Sequence, residues 1–201
     1  MTDERAPGPA HAFAAVHIFR ALELIRKKLI GRSRLSREMA LGEGATRTLI
    51  ERLKEKGFIT VERAGCTLTE KGEEFWEAFQ DTFPRKAILE RSKLTLGPFN
   101  VALLVKGGAG KVKSGMEQRD AALIAGAKGA TTLICKDGRL TVPPEQRDVA
   151  KDFPRVHRAL IKLLRPGEND AIIIGSADTL EKAEYGSLAA AISLINDSDN
   201  A

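Results

Sequence analysis

The feature that most constrains the fold is an apolar stripe in the first third of the chain. Its four residues follow the i, i+3, i+4, i+7 spacing that places side chains on one face of a helix: Thr46, Leu49, Ile50 and Leu53. Gly57 comes soon after, at a position where helices commonly end in a left-handed residue. The pattern predicts a short amphipathic helix with one buried face.

A second, shorter helix is predicted directly before this one. Leu35 and Met39 lie four residues apart on one side of it. We expect Gly42 and Gly44 to supply the backbone freedom for a sharp turn between the two helices. Two short helices joined by a tight glycine-containing turn are typical of a helix-turn-helix.

The flanking segments complete a larger pattern. A helix is predicted over residues 11–30, and residues 58–63 and 66–68 are predicted as two strands of a hairpin around a glycine turn. Thr69 is expected to cap a further helix that carries an aromatic stripe: Phe75, Trp76, Phe79 and Phe83. The order helix, helix, turn, helix, hairpin, helix is that of a winged helix.

Residues 33–72 resemble the winged helix-turn-helix of bacterial and archaeal transcriptional regulators, in the manner of the multiple-antibiotic-resistance regulators. The resemblance is carried by the apolar stripe, by Lys56-Gly57-Phe58-Ile59 and by the closing phrase Leu68-Thr69-Glu70-Lys71-Gly72. It implies a domain over residues 11–83 that binds double-stranded DNA. A homodimer is expected, because one recognition helix reads only a short half-site.

The candidate DNA contacts follow from the way such a domain docks, with the start of its second helix against base edges in the major groove. An arginine can bond guanine in a forked geometry, and a threonine offers both a methyl group and a hydroxyl. The candidate residues on the two helices and the hairpin are Arg34, Ser36, Arg37, Gly44, Ala45, Arg47, Thr48, Arg52 and Arg63. The alternative is that these are ordinary solvated side chains, and Glu43, Glu51 and Glu55 on the same surface favour it.

The second half of the chain has a different periodicity. Strands are predicted over residues 101–105, 131–135, 139–142 and 171–174, and helices over residues 114–125, 149–164 and 178–195. The resulting β-α-β-β-α-β-α order over residues 98–197 predicts an α/β sandwich with a ferredoxin-like strand order, so that the whole chain is α+β. A mixed α/β sheet is the alternative.

The sequence of residues 111–132 resembles that of archaeal two-domain proteins with an N-terminal winged helix and a C-terminal domain of unknown function. The resemblance covers most of the chain and implies architecture without an established activity.

A glycine-rich loop after the first strand of this domain is the candidate for an anionic effector, because backbone amides between a strand and a helix often hold phosphate. It is neither a Walker A motif nor G-x-G-x-x-G. The candidate effector residues are Gly107, Gly108, Gly110, Lys111, Lys113, Arg119 and Ser176. The alternatives are a plain surface loop, a structural salt bridge at Arg119 and a helix cap near Ser176.

Composition and motifs narrow the functional classes. A net charge of +5 and a pI near 9.3 suit a polyanionic partner without establishing one. No apolar run reaches the ~18 residues of a membrane span, and the two isolated cysteines, Cys66 and Cys135, favour reduced thiols in the cytoplasm. No catalytic motif, metal-ligand spacing or cofactor motif is visible. We therefore expect a DNA-binding transcriptional regulator and no enzyme; the alternatives are a protein-interaction module and an enzyme acting on a phosphorylated small molecule.

Overall fold

The computed structural model describes residues 15–196. Contacts within the chain divide it into two compact units between Glu77 and Ala78. Each unit is built from the elements that follow, and each has its own core.

The first unit is helical with one small hairpin. Its helices are α1 (Ala15–Lys27), α2 (Arg32–Glu38), α3 (Glu43–Glu55) and the first part of α4 (Glu70–Thr82). The hairpin strands β1 (Ile59–Glu62) and β2 (Gly65–Leu68) pair antiparallel between α3 and α4. This is the predicted element order. Thr69 caps α4 as expected, because its Oγ1 accepts a hydrogen bond from the backbone N–H of Gly72 at 3.1 Å.

The predicted apolar stripe forms the buried face of α3. Thr46, Leu49, Ile50 and Leu53 are all buried. Gly57 has a positive φ of 74°, and the N–H of Phe58 reaches back to the carbonyl of Leu53, which closes the helix end.

The turn between α2 and α3 is made differently from the prediction. Gly42 has an ordinary φ of −59° and Gly44 lies inside α3, so neither supplies a special backbone conformation. The left-handed residue is Ala40, with a φ of 49°. The side chain of Ser36 stabilises the turn, because its Oγ donates to the carbonyl of Leu41 at 2.6 Å.

The first helix ends earlier than the predicted residue 30, and residues 11–14 of that prediction lie outside the described residues. Lys27 is the last helical residue, and Ile30 instead forms a β-bridge with Cys66 in β2. Backbone pairing to the hairpin provides partners that one more helical turn would otherwise supply. Both residues are buried, so this bridge belongs to the core of the first unit.

The aromatic stripe on α4 is shared between the two units. Phe75 stacks on Phe19 with ring centroids 5.6 Å apart and contacts Phe58 at 4.9 Å, all within the first unit. Phe79 and Phe83 contact each other at 4.7 Å and pack in the core of the second unit. The rings of the stripe therefore pack in two separate cores.

The second unit is a six-stranded antiparallel sheet with helices on both faces. Its strands are β3 (Lys86–Leu89), β4 (Phe99–Val105), β5 (Gly129–Lys136), β6 (Arg139–Val142), β7 (Arg147–Asp148) and β8 (Ala171–Ala177). Its helices are α5 (Met116–Ile124), α6 (Val149–Asp152), α7 (Pro154–Leu164) and α8 (Leu180–Asn196). The sheet order is β3-β4-β8-β5-β6-β7.

The α+β class and the β-α-β-β-α-β-α order are confirmed, whereas the ferredoxin-like strand order is wrong. In that order the third strand lies between the first two; here it is β8 that pairs with both β4 and β5. The strand β8 suits this central position, because every one of its residues is buried. The edge strands β3 and β7 were not predicted.

Alternation along the strands separates two cores. On one face Val101, Leu103 and Ile173 pack with α5 and α8. On the other face Leu104 and Ile172 pack with the helices α6 and α7. None of the helices within residues 15–196 is both long enough and apolar enough to cross a membrane.

Candidate nucleic-acid interface and effector site

The outward face of α3 carries most of the candidate base contacts. Arg47 and Thr48 are exposed on it, and Ala45 is half-buried at its start. Arg47 forms no ion pair within residues 15–196. Thr48 Oγ1 donates to the carbonyl of Gly44 at 3.2 Å, one turn earlier in the helix. The face therefore offers one arginine and one threonine close to the helix start.

Gly44 is exposed in the first turn of this helix and the fold does not require it. A Cβ built there would meet no atom within 4 Å, and the same holds for Gly42 just before the helix. Glycine in a helix costs roughly 0.5–1 kcal/mol relative to alanine. Gly44 therefore lowers the stability of the first unit slightly, and packing within the unit does not explain why a glycine is present there.

The exposed arginines of α2 differ in their surroundings. Arg34 is paired with Glu38 at 2.8 Å, and Lys28 reaches the same carboxylate at 2.8 Å. The hydrogen bond from Lys28, followed by that from Arg34, holds the pKa of Glu38 below its usual value. Arg37 is exposed and forms no ion pair in the described part of the chain. Of these two predicted phosphate contacts, Arg37 is the one without a carboxylate partner.

Ser36 is not available for phosphate, contrary to the prediction. Its side chain is 7% exposed and its hydroxyl is used in the turn to Leu41. It lies one residue after Leu35, which is fully buried, and so takes the inner side of this short helix.

Two further predicted basic residues of the first unit are exposed. Arg63 is exposed at the turn between β1 and β2, as predicted, and Arg52 is exposed on α3. Arg32, which was not among the predicted contacts, is exposed at the first position of α2. The signal was Gly31, since the helix begins directly after it.

The seven candidate effector residues do not form one site. The glycine-rich loop leaves β4 at the end of the sheet where β8 begins, whereas Ser176 pairs with Gly129 near the other end of β8. Five residue steps along the strand, from Ala171 to Ser176, separate these ends by about 17 Å. Arg119 belongs with Ser176, because a Cβ at Gly129 would lie 3.5 Å from its side chain.

The backbone amides of the loop are largely used within the protein. Gly107 N–H donates to the carboxylate of Asp170 at 2.9 Å, and that carboxylate also accepts from Gly167 at 2.7 Å. The N–H groups of Gly108, Ala109 and Lys111 bond to backbone carbonyls. An anion would have to displace these bonds, so the loop is not a ready phosphate cradle.

Ser176 and Arg119 both have structural partners. Ser176 is fully buried, donates to Asn100 Oδ1 at 2.7 Å and accepts from the N–H of Leu96 at 3.1 Å. Arg119 is exposed and paired with its neighbour Asp120 at 2.9 Å, which agrees with the salt-bridge alternative.

The polar residue of α5 that points inward is Gln118, which is fully buried. Neither of its amide atoms has a hydrogen-bond partner in the described part of the chain, and the buried hydroxyl of Thr132 in β5 also has none. Gly115, at the start of α5, packs against that same threonine.

The two cysteines are free and buried in separate units. Burial raises the pKa of the Cys66 thiol; burial, followed by the nearby charges of Glu168 and Asp170, raises the pKa of the Cys135 thiol. Both therefore remain protonated and poorly nucleophilic at neutral pH. Within residues 15–196, no three His, Cys, Asp or Glu side chains are grouped so as to hold a metal ion.

Comparison with known proteins assigns a type to each half of the chain. Residues 16–83 match the family described as "CggR N-terminal DNA binding domain". Residues 96–194 match the family described as "Domain of unknown function (DUF4443)". No curated protein matches the chain.

Among solved structures, a hypothetical protein from Pyrococcus horikoshii OT3 is similar over nearly its whole length. The two sequences are 28% identical, the match covers 92% of this chain and 94% of the other, and the TM-score is 0.75. The neighbour is archaeal, as the sequence resemblance implied. The chain has a two-domain architecture, with a helix-turn-helix-like DNA-binding domain at its N-terminus and a DUF4443 domain at its C-terminus.

Proposed function

We propose that the protein is a cytoplasmic, sequence-specific transcriptional regulator that binds double-stranded DNA as a homodimer. The first unit acts as a winged helix: α3 enters the major groove, and the β1–β2 hairpin is the wing beside it. The second unit dimerises the protein, senses a small molecule, or does both.

The observation that carries this proposal is the pair of glycines at the start of α3. Space around Gly42 and Gly44 is open, so their small size serves no contact within the protein. A helix that must approach a DNA backbone closely gains from glycines at its start, where Glu43 between them is the only long side chain. The recognition helix contacts DNA through this N-terminal part, which gives the two glycines a function outside the fold.

The exposed basic residues then divide into two roles. Arg47 and Thr48 read base edges, because they lie within the first turns of α3. Arg37, Arg52 and Arg63 contact phosphates and set the register of the domain on the duplex. Arg34 joins them when phosphate replaces Glu38 as its partner.

The direct test is selection of bound genomic fragments with the wild-type protein and with Arg47→Ala. We expect the mutant to lose sequence preference, since a bidentate arginine–guanine contact contributes about 1–3 kcal/mol of discrimination. Arg155→Ala, an exposed arginine of α7 in the second unit, is the matched control and should select the wild-type sequences. Equal selection by Arg47→Ala and wild type would refute the assignment of α3.

A second function is favoured by the acids on α3. Glu43, Glu51 and Glu55 are exposed beside Arg47 and weaken the local positive field, which would suit a basic protein partner. Binding to genomic DNA distinguishes the two functions, because a DNA-binding domain binds DNA and does so more tightly as salt is lowered. Failure to bind genomic DNA at any salt concentration would favour the protein-interaction function.

A further inference from the structure

One part of the sheet in the second unit is not covered by a helix. The faces alternate along β5, where Leu133 and Cys135 pack with the α7 side and Thr132 lies under the start of α5. Helix α5 runs from Thr132 towards Gly129, because its Arg119 lies over that glycine. In the other direction, from Ile134 outward, the same face borders a pocket.

This pocket has a volume of about 300 Å³. It spans β5, β6 and β7, and a volume of roughly this size is at the lower limit of small-molecule sites. Its lining comes from the outward-alternating positions of the three strands, including Ile134, Thr141 and Asp148. The glycine-rich loop leaves the sheet at the same end, although none of its residues lines the pocket.

Two cations stand side by side in this pocket. Lys136 and Arg139 are direct cross-strand partners at the end of the β5–β6 hairpin, and both line the cavity. The ion pairs of the second unit within residues 15–196 involve other residues. Like charges directly opposite each other on a sheet are destabilising, and a bound anion between them would remove that cost.

Of the two acids nearest to this pair, Glu168 is occupied by the turn. Glu168 uses its two carboxylate oxygens to accept from the turn N–H groups of Asp137 and Gly138. Asp137 itself is exposed at the turn and lines the pocket rim without an ion pair among the described residues.

The opposite wall of the pocket offers hydrogen-bond acceptors and one hydroxyl. Asp148 caps α6 with its Oδ1, which accepts from the N–H groups of Ala150 and Lys151. Its second carboxylate oxygen can accept a hydrogen bond in the same cavity. Thr141 and Gln146, which also line it, can both donate and accept. The two walls therefore differ in charge.

We infer that this pocket binds a small organic anion that also carries hydroxyl groups. The phosphate or carboxylate group lies between Lys136 and Arg139, and the hydroxyl groups face Asp148 and Gln146. The inference concerns binding by the second unit and does not depend on the first unit's binding DNA.

The test is a titration of the full chain with inorganic phosphate, followed by backbone amide NMR shifts, with sodium chloride at equal ionic strength as the reference. We expect saturable shifts at the pocket strands, and a tighter response to glycerol 2-phosphate, which adds hydroxyl groups. In the double variant Lys136→Gln with Arg139→Gln, the affinity should fall about tenfold or more, because charge-assisted hydrogen bonds are lost.

Two controls keep the outcome interpretable. The double variant Arg155→Gln with Lys162→Gln removes two exposed cations from α7 and should bind like the wild type. The variant Lys136→Arg keeps the charge pair and should retain binding, which separates loss of charge from loss of fold. Phosphate shifts that do not saturate, or that persist in the pocket variant, overturn the anion site. Equal affinity for the two phosphates overturns the role of the acceptor wall.

Discussion

Glycines in the two units stand in opposite surroundings. Gly44 on α3 has open space where a Cβ would be, whereas a Cβ at Gly175 in β8 would lie 2.4 Å from the carbonyl oxygen of Ala183 and 2.4 Å from the N–H of Ser187. The first glycine is not needed by the fold, and the second allows α8 to rest directly on the central strand. The difference shows which small residues serve packing and which point to a partner.

The same distinction applies to buried polar groups. Ser176 and Asn100 satisfy each other and close the loop before β4. Gln118 and Thr132 are just as deeply buried and have no such partners in the described chain. The first pair stabilises the fold, whereas the unpaired polar groups of the second lower the free energy of unfolding.

The largest effect is expected for Gly175→Ala. The added methyl group would force α8 away from β8, since both close atoms are backbone atoms that cannot rotate aside. We expect a loss of at least about 3 kcal/mol in the free energy of unfolding. Urea unfolding followed by far-UV circular dichroism measures it, and an unchanged midpoint would remove the contrast with Gly44.

An effect of opposite sign is expected for Gln118→Leu. A leucine has a similar volume and no polar atoms to leave unpaired, so the free energy of unfolding should rise by about 1–3 kcal/mol. The matched variant Ser176→Ala should lower it by a similar amount, because it leaves Asn100 without its donor. Hydrogen exchange of amides in β5 and β8 would report both changes; destabilisation by Gln118→Leu would mean that the amide has a partner.

Gly44→Ala is expected to have a smaller effect, which raises stability and weakens DNA binding. The first unit should gain about 0.5–1 kcal/mol, as for other glycine-to-alanine changes within helices. DNA binding should weaken, because the added methyl group stands at the start of the recognition helix. Urea unfolding followed by fluorescence of Trp76, the only tryptophan, and fluorescence anisotropy with selected DNA measure the two quantities. A gain in both would show that the glycine has no function at the interface.

The smallest effect concerns Glu38. Its folded-state pKa is lowered by Lys28 and then Arg34, so its contribution to stability is present above the ordinary glutamate pKa of about 4.3 and is lost as pH falls through the lower folded value. The pair is partly exposed, and we expect a few tenths of a kcal/mol. The difference in unfolding free energy between wild type and Glu38→Gln, measured from pH 7 down to pH 3, should shrink at the acid end.

Much of the first unit could be predicted because its patterns are local. The stripe from Thr46 to Leu53 and the stop at Gly57 determine α3 by themselves. The turn was harder, since Ala40 takes the left-handed conformation that a glycine was expected to supply. There the positions of the two packed helices, rather than local propensity, determine the backbone conformation.

The second unit shows where such prediction ends. Its elements follow from periodicity, but the order of strands depends on which strand is buried on both sides, and only the full run of β8 indicates that. The candidate effector residues were chosen as neighbours in sequence and chemistry. The pocket instead joins residues of three strands, from Ile134 to Asp148, that acquire a common face only through pairing.

The turn between β5 and β6 has a consequence for how this domain tolerates change. Asp137 and Gly138 both have positive φ, as a two-residue hairpin turn requires, and they set Lys136 opposite Arg139. An inserted residue that the turn did not absorb as a longer loop would shift the register by one and turn every side chain of one strand to the other face. Leu140 would then be exposed and a charged neighbour driven into the core. A longer turn here must therefore hold the extra residue within the loop, so that Lys136 stays opposite Arg139.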